Sequence, residues 1–301
     1  GPTNLGEVDS TQSAKLFAYD LRELVLGNDG VVESGPFDSD GNTTNGVGFA
    51  DTGEADTFVG EITVADQDLD MKAEALYFGT IGNDVGDTGS LWRLSMAELT
   101  TPTSTSVTPS NSGWGAPFKL LDVDQPFSSR PSITIDSQFR TWILAGTGRL
   151  YNNDDKDSTE TQTLYGFIDP NDLFDNSATT TASHGGFEDL TNAVSFADGQ
   201  VDIDGDGSYD TTYEAVEADV DAAGGWLMHY NFDPSAVLPS ERTVSNLTLI
   251  GGIVLTSAFE PTSDLCGAEG ESRIIGRAFN TGLVPPEGIF GQECDGCPDG
   301  D

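Results

Sequence analysis

Four carboxylates with a regular spacing follow the strand-like segment that ends at Ala65. They occupy positions 1, 3, 5 and 9 of a short loop and are Asp66, Asp68, Asp70 and Glu74. This is the spacing of an EF-hand-type calcium loop, in which oxygens converge on one ion. The sequence therefore predicts a Ca²⁺ site between two β-strands, with the backbone carbonyl of Lys72 as a further ligand. The alternative is an acidic surface turn without an ion.

The first loop departs from the EF-hand pattern at two positions. Position 6 is Met71 where glycine is usual, and position 12 is Tyr77 where a bidentate glutamate is usual. We therefore expect its calcium affinity to be modest.

A second loop, VDIDGDGSYD, repeats the spacing with four aspartates: Asp202, Asp204, Asp206 and Asp210. Gly207 suits the sharp turn after the third ligand, and Asp210 takes position 9. Tyr213 at position 12 again lacks a carboxylate, although Glu214 follows it. A second Ca²⁺ site is predicted here, against the alternative of another acidic turn. In a third group, Asp154, Asp155 and Asp157, a solvated turn is favoured over a cation site.

Sequence patterns of catalysis are missing. There is no nucleophile elbow and no phosphate-binding loop, and the two histidines, His184 and His229, are too few and too distant for acid–base or metal chemistry. Paired carboxylates for glycoside hydrolysis carry no information in a chain with 51 acidic residues. The four tryptophans are predicted to pack between strands: Trp92, Trp114, Trp142 and Trp226. We expect a protein that is not an enzyme.

Charge excludes several partners. The 301 residues contain 51 acidic and 12 basic side chains, a formal net charge of −39. Such a chain repels nucleic acid and anionic membrane surfaces. The acidic residues indicate either a salt-tolerant surface or carboxylate clusters that bind Ca²⁺. No apolar stretch reaches the length of a membrane-spanning helix, so no membrane span is predicted.

Three cysteines lie near the C-terminus: Cys266, Cys294 and Cys297. The last two form a C-x-x-C pair, typical of a redox dithiol or of half a zinc site. The other half of a zinc site and the βαβ context of a thioredoxin-like motif are both missing. In an acidic, Lys-poor chain rich in Thr, Gly and Asp, we predict an exported, extracellular protein with a structural disulfide between Cys266 and either Cys294 or Cys297.

Strand signals recur throughout the chain, which indicates an all-β fold. Apolar, β-branched and aromatic runs bounded by Gly, Asp, Asn and Pro occupy residues 16–21, 58–65, 75–81, 91–95, 118–123, 133–136, 142–145, 163–168, 226–232, 247–250, 253–258 and 274–279. One short helix is predicted near 213–222, and a helical turn is considered at 170–174. Long loops are predicted at 28–55, 100–115, 152–161 and 177–223.

The strand segments recur in groups of three, an order that is typical of β-propeller blades. ITVAD, ALYFGT and SLWRLS form the first group, SITID, WILAGTG and TLYGFID the second, and LTLIG, IVLTSAF and RIIGRAF the third. A fourth, outer strand is expected at 118–123. The opening LFAYDL is interpreted as the third strand of a partial blade. The sequence predicts three to four blades, in a single propeller domain over 1–301 or a fragment of one.

Several of these segments together resemble the C-terminal propeller of the PilY family of type IV pilus tip and assembly proteins. The matching segments occur in order: ITVADQDLDMKAEALYFGT with LWRL, QPFSSRPSI at 125–133, AGTGRLYNNDDKDSTETQTLYGFID at 145–169, GWLMHY at 225–230, and RTVSNLTLIGGIVLTSAFEPTSDLCGAEG at 242–270. The family-like core spans about 57–282, followed by a tail at 283–301 that carries the C-x-x-C pair.

This resemblance implies a calcium-binding, surface-exposed propeller at a pilus tip. It implies roles in pilus assembly, in the control of retraction and in adhesion. Its partners would be minor pilins or a tip complex, and a host or surface adhesion target. Two alternatives stay open: a structural subunit of an extracellular assembly, and an exported propeller enzyme acting on glycans.

Overall fold

The computed structural model describes residues 12–19, 47–66, 73–82, 88–95, 116–151, 154–171, 180–230, 239–262 and 270–289. Within these ranges the chain forms eighteen strands in five sheets, one α-helix and two short 3₁₀ helices at Asp154–Asp157 and His184–Gly186. The all-β prediction is confirmed. None of the five sheets closes on itself within this part of the chain.

The first sheet is a two-stranded antiparallel ribbon of β1 (Lys15–Tyr19) and β2 (Val47–Asp51). Leu16 and Ala50 are buried against the sheet that follows. The interpretation of 28–55 as a loop is wrong at its end, because β2 lies there and pairs with β1. Its sequence, VGFAD, is short and contains glycine, so its strand signal is weak.

The second sheet is an antiparallel meander of four strands that follow one another along the chain. They are β3 (Thr57–Ala65), β4 (Ala75–Gly82), β5 (Ser90–Ser95) and β6 (Phe118–Asp122). Every residue of β5 is buried, as expected of a strand covered on both faces. This sheet is the first predicted group together with its outer strand.

The third sheet contains the second predicted group, β7 (Ser132–Ile135), β8 (Thr141–Gly146) and β9 (Thr163–Ile168). A long excursion follows, with β10 (Glu188–Asp189), a small sheet of β11 (Val194–Ser195), β12 (Gln200–Asp202) and β13 (Thr211–Thr212), and then helix α1 (Tyr213–Ala223). The chain returns as β14 (Gly225–His229), which pairs with β9, and β10 pairs with β14 in parallel.

Helix α1 has a clear start and end. The Thr212 side chain accepts a hydrogen bond from the Ala215 N–H (3.3 Å), which caps the N-terminus. Gly224 has a φ of 77°, the left-handed conformation that ends many helices. Val216 and Val220, one turn apart, are buried against the third sheet. These local signals explain why the predicted helix is confirmed.

The last sheet is the third predicted group with one added strand. Its strands are β15 (Arg242–Thr243), β16 (Thr248–Ile250), β17 (Ile253–Pro261) and β18 (Gly270–Ala278), of which β17 pairs with the other three. Gly251 and Gly252, both with positive φ, form the two-residue turn between β16 and β17. Tight hairpins of this kind require positive φ at both positions, which glycine adopts without strain.

Neighbouring sheets share apolar cores. One core lies between the second and third sheets, and another joins the third sheet, α1 and the last sheet. Trp92, Trp142 and Trp226 are buried, which confirms the packing role predicted for them, whereas Trp114 lies outside the described residues. The first, second, third and last sheets thus pack one against the next along the chain.

The segment 125–133 connects three of the sheets. Phe127 packs so closely on Gly79 of β4 that an added Cβ there would lie 2.2 Å from the Phe127 Cβ. The Ser128 hydroxyl donates to the Gly148 carbonyl (2.6 Å), and the Ser132 hydroxyl donates to the Leu247 carbonyl (3.1 Å). This segment therefore has a structural role at the junction.

Candidate metal site

The second acidic loop lies between β12 and β13, at one end of the small three-stranded sheet. Asp202 is the last residue of β12, and the Asp210 N–H donates to the Val201 carbonyl (2.9 Å), which closes the loop. Gly205 and Gly207 have φ values of 75° and 91°. Side chains with a Cβ rarely adopt this conformation, so the two glycines allow the loop to curl back on itself.

The carboxylate of Asp202 organises the loop from within. Its Oδ1 accepts the Gly205 N–H and its Oδ2 accepts the Gly207 N–H, both at 2.7 Å, and the residue is only 2% exposed. Burial opposes its ionisation, but the N–H donors of Gly207, Gly205 and Asp206 outweigh burial and lower the pKa of Asp202. Asp202 is therefore ionised at neutral pH.

Three carboxylates converge at this loop. Oxygens of Asp202, Asp204 and Asp210 all lie within 4.8 Å of one another, with Asp204 and Asp210 exposed. Asp210 Oδ2 also accepts the Ile203 N–H (3.0 Å), which fixes that side chain over the loop. Three close aspartates could hold a metal ion, and oxygen ligands of this kind suit hard cations.

The fourth predicted ligand, Asp206, lies outside this cluster. Its Oδ1 accepts the Ser208 N–H (2.8 Å), and its own N–H donates to Asp204 Oδ1 (3.1 Å). Asp206 thus supports the turn that carries Asp204. The spacing pattern predicted four ligands, and the backbone geometry brings three of them together.

The first acidic loop is described only at its two ends. Asp66 follows β3 and Glu74 precedes β4, and Ala65 and Ala75 pair across the hairpin. The Glu74 N–H donates to the Ala65 carbonyl (2.9 Å). This places the loop between antiparallel strands, as predicted. The remaining predicted ligands, Asp68, Asp70 and Lys72, lie outside the described residues, so this site stays a prediction.

The third acidic group forms an internal ion pair. Asp155 is 2% exposed, and its Oδ1 accepts the Arg149 Nε–H while its Oδ2 accepts the Tyr151 N–H, both at 2.7 Å. Asp154 and Asp157 are exposed. The favoured solvated turn is wrong for Asp155, because its two carboxylate oxygens are occupied inside the fold.

A buried polar group on the second and third sheets was missed. Tyr77 and Arg93 are cross-strand neighbours on β4 and β5. The Tyr77 hydroxyl donates to Asp169 Oδ2 (2.7 Å), and Arg93 Nε lies 3.4 Å from the same oxygen. Burial and the Asp169 charge raise the pKa of Tyr77 well above its ordinary value. The one available signal was an arginine within the apolar run SLWRLS.

The remaining predicted residues are not brought together. His184 is exposed in a 3₁₀ helix, whereas His229 ends β14 and shares a 2.8 Å hydrogen bond between its Nδ1 and the Thr163 hydroxyl. Cys266, Cys294 and Cys297 lie outside the described residues, so the disulfide stays a prediction. In the part of the chain that is described, no helix has the length and apolar character needed to cross a membrane.

Comparison with known proteins points to one fold. No protein-family model matches the chain, and no curated protein matches it. Among solved structures, the C-terminal domain of Pseudomonas aeruginosa PilY1 is similar, with a TM-score of 0.55 and 19% sequence identity. The chain shares its fold with that domain. The match covers 79% of this chain and 51% of the PilY1 chain, so this chain spans about half the length of that structure.

Proposed function

We propose that this chain is a calcium-binding, PilY-like β-propeller domain of a type IV pilus-associated protein displayed outside the cell. The pilus assignment is supported by the fold shared with the PilY1 C-terminal domain and by the ordered PilY-like segments in the sequence. Its proposed partners are the minor pilins or tip complex of the pilus and an adhesion target. The proposed role is not enzymatic.

The convergence of Asp202, Asp204 and Asp210 is the observation that carries the calcium part of the proposal. Ca²⁺ takes about six to eight oxygen ligands in flexible geometry, so three carboxylates leave room for backbone carbonyls and water. Mg²⁺ demands near-octahedral geometry and gives up its water reluctantly, which makes it a poorer match to this loop. We propose a second ion at Asp66, Asp68, Asp70 and Glu74, with the Lys72 carbonyl as a further ligand.

Calcium would stabilise the fold by relieving repulsion among these carboxylates. A ligand that binds only the folded state stabilises it by RT ln(1 + [L]/Kd), about 2.7 kcal/mol when its concentration is a hundredfold above Kd. The formal charge of −39 adds a general repulsion that a divalent cation also reduces. We propose that bound calcium holds each loop in one conformation and thereby sets the surface offered to the pilus partners.

Calorimetric titration of the chelator-stripped protein with CaCl₂ tests the metal sites. Asp204→Asn keeps the acceptor oxygen that supports the loop and removes one charge from the cluster, and Asp68→Ala tests the first loop. Asp198→Asn is the matched control, since Asp198 is exposed nearby but outside the cluster. We expect two binding events, one weakened at least tenfold in each of the two loop variants and both kept in the control. Absence of binding heat in the wild type would refute calcium binding.

The pilus role needs a separate measurement in the native organism. Deleting the gene and counting surface pili tests assembly, and complementation with the wild-type and Asp204→Asn genes tests the contribution of calcium. We expect fewer surface pili in the deletion and recovery with the wild type. Unchanged pilus number and retraction in the deletion would overturn the pilus assignment and leave the calcium sites standing.

A further inference from the structure

A polar cavity of about 260 Å³ lies between the third sheet and the last sheet, and its wall residue Asn192 packs near Gly205 of the second acidic loop. Its walls include Met228 and His229 of β14, Thr191 and Asn192 after β10, and Arg273 and Arg277 of β18. Side chains alternate along a strand, so the two arginines, four residues apart, share one face of β18. The cavity therefore presents two cations in a chain with a net charge of −39.

The two arginines differ in how they are neutralised. Arg273 forms a bidentate ion pair with Glu241: the Arg273 Nε donates to Glu241 Oε1 (2.5 Å), and its Nη2 donates to Glu241 Oε2. Glu241 is only 3% exposed. The positive charge of Arg273 is thus compensated by a carboxylate of the fold itself.

Arg277 has no such carboxylate among the described residues. Its Nη2 lies 3.3 Å from the Met228 sulfur, a weak acceptor, and its Nε is buried without a hydrogen-bond acceptor among the described residues. Burial, together with the nearby charge of Arg273, lowers the pKa of Arg277. A buried guanidinium without its full set of acceptors is destabilising, so a bound acceptor that reaches Arg277 would be stabilising here.

The rest of the wall supplies hydrogen-bonding groups without adding charge. Burial lowers the pKa of His229, although the Asp189 charge opposes this, so the imidazole is neutral at pH 7. The backbone N–H of His229 donates to the Thr191 hydroxyl (3.0 Å), and that hydroxyl donates to the Asp189 carboxylate. Asn192 adds an exposed amide. Arg277 thus carries the positive charge of the cavity wall that has no ion-pair partner among the described residues, while the Asp189 carboxylate accepts from Thr191 and is not itself part of the wall.

We propose that this cavity binds a single carboxylate group, carried by a small molecule or by an acidic side chain of a partner. A guanidinium matches a carboxylate with two parallel hydrogen bonds. One uncompensated charge balances a monoanion, whereas a phosphate dianion would remain half compensated and would be repelled more strongly by the acidic protein. The volume suits a ligand of a few heavy atoms and is smaller than typical drug-sized pockets.

Ligand-observed NMR on the 301-residue protein tests the proposal with acetate as the probe, at constant ionic strength and pH 7. We expect saturation transfer to the acetate methyl group in the wild type and its loss in Arg277→Gln. Arg130→Gln makes the same charge change at an exposed arginine outside the cavity and should keep the signal. Arg277→Lys keeps the positive charge but loses the paired N–H donors of the guanidinium, and it should bind acetate at least fivefold more weakly than the wild type does. Equal signals in the wild type and in a folded Arg277→Gln would overturn the proposal, as would no signal in the wild type.

Competition distinguishes the anions and their sources. Phosphate should displace acetate only at concentrations at least tenfold higher than those at which propionate does, and displacement at equal concentration would overturn the assignment to a monocarboxylate. N-acetylglutamate α-amide, which carries one side-chain carboxylate, should compete at least as well as acetate if the source is a partner side chain. Weaker competition by this amide would assign the cavity to free small carboxylates. Thermal melting of each variant confirms that the comparison is made on folded protein.

Discussion

Replacing Asp155 by asparagine removes the negative half of a buried ion pair. Arg149 and Asp155 are 4% and 2% exposed, and their Nε–Oδ1 distance is 2.7 Å. Arg149 Nη1 also donates to the Gly82 carbonyl of β4 (2.6 Å), so the pair connects the second sheet to the chain that follows β8. Arg242, likewise buried, donates from its Nη1 to the carbonyls of Arg149 and Asp155 at 3.1 and 2.5 Å. The pair is therefore the centre of a connected polar network.

The expected loss of stability follows from these contacts. The asparagine side chain of the Asp155→Asn variant would keep one oxygen, enough for either the Arg149 Nε–H or the Tyr151 N–H. It would lose the other charge-assisted bond at a cost of about 1.5–3 kcal/mol. The substitution would also leave the Arg149 guanidinium buried without its counter-charge. Breaking a buried pair from one side costs about 3–5 kcal/mol, and the retained hydrogen bond places Asp155→Asn near the lower limit, about 3 kcal/mol.

Urea unfolding in the presence of a calcium chelator measures this loss without interference from metal binding. Asp157→Asn is the matched control, because Asp157 is exposed in the same 3₁₀ turn and should change stability by less than about 0.5 kcal/mol. The double variant Arg149→Met/Asp155→Leu removes both charges of the pair and should recover part of the loss, because neither charge is left buried without the other; the Gly82 carbonyl and the Tyr151 N–H still lose their partners. The reasoning is refuted if Asp155→Asn destabilises the protein no more than Asp157→Asn does.

Two further substitutions test other contacts. Asp136, at the β7–β8 turn, accepts four N–H donors that outweigh the opposing effect of burial and lower its pKa. Its contribution is present above the unfolded pKa of about 4 and is lost as the pH falls through the lower folded pKa. Asp136→Asn should therefore cost about 1 kcal/mol at pH 7, and less at pH 3, in urea unfolding; an equal cost at both pH values would contradict this. In β9, a Cβ on Gly166 would lie 2.4 Å from the Trp226 ring, so Gly166→Ala should lower the free energy of unfolding by about 1–3 kcal/mol. Gly185→Ala is the control and should change this free energy little, because the space around Gly185 is open. Equal unfolding free energies for the two variants would refute the close packing at Gly166.

The strands that sequence reasoning located are those with a strong apolar signal and a local partner. Residues 163–168 were predicted with the bounds that the structure has, because TLYGFI is rich in aliphatic and aromatic residues and Asp169 follows it. Two of the strands it missed have neither property. β10 and β15 are two residues long, and each is held by a distant strand, β14 and β17. Pairing of that kind depends on tertiary packing and leaves little trace in local composition.

At the candidate metal site, too, local sequence predicted some features and tertiary contacts set the others. The spacing of Asp202, Asp204 and Asp210 identified the converging carboxylates, because a short loop with two glycines has few ways to fold. The spacing could not exclude Asp206, since its place depends on which backbone N–H each carboxylate accepts. Nor could it show that Asp155 is internal, because its partner Arg149 lies in a different turn of the chain.

The placement of the few arginines sets which ligands the protein attracts. Arg93, Arg149 and Arg242 are buried, and Arg140 and Arg273 are ion-paired with carboxylates of the fold. These basic side chains therefore pair with carboxylates of the fold or donate to its backbone carbonyls, which leaves fewer of them free to offset the acidic surface. Such a surface attracts cations wherever carboxylates converge, as they do at the loop after β12. It repels anions except where a cation is left uncompensated, as at Arg277. The same distribution of charge thus supports both proposed sites.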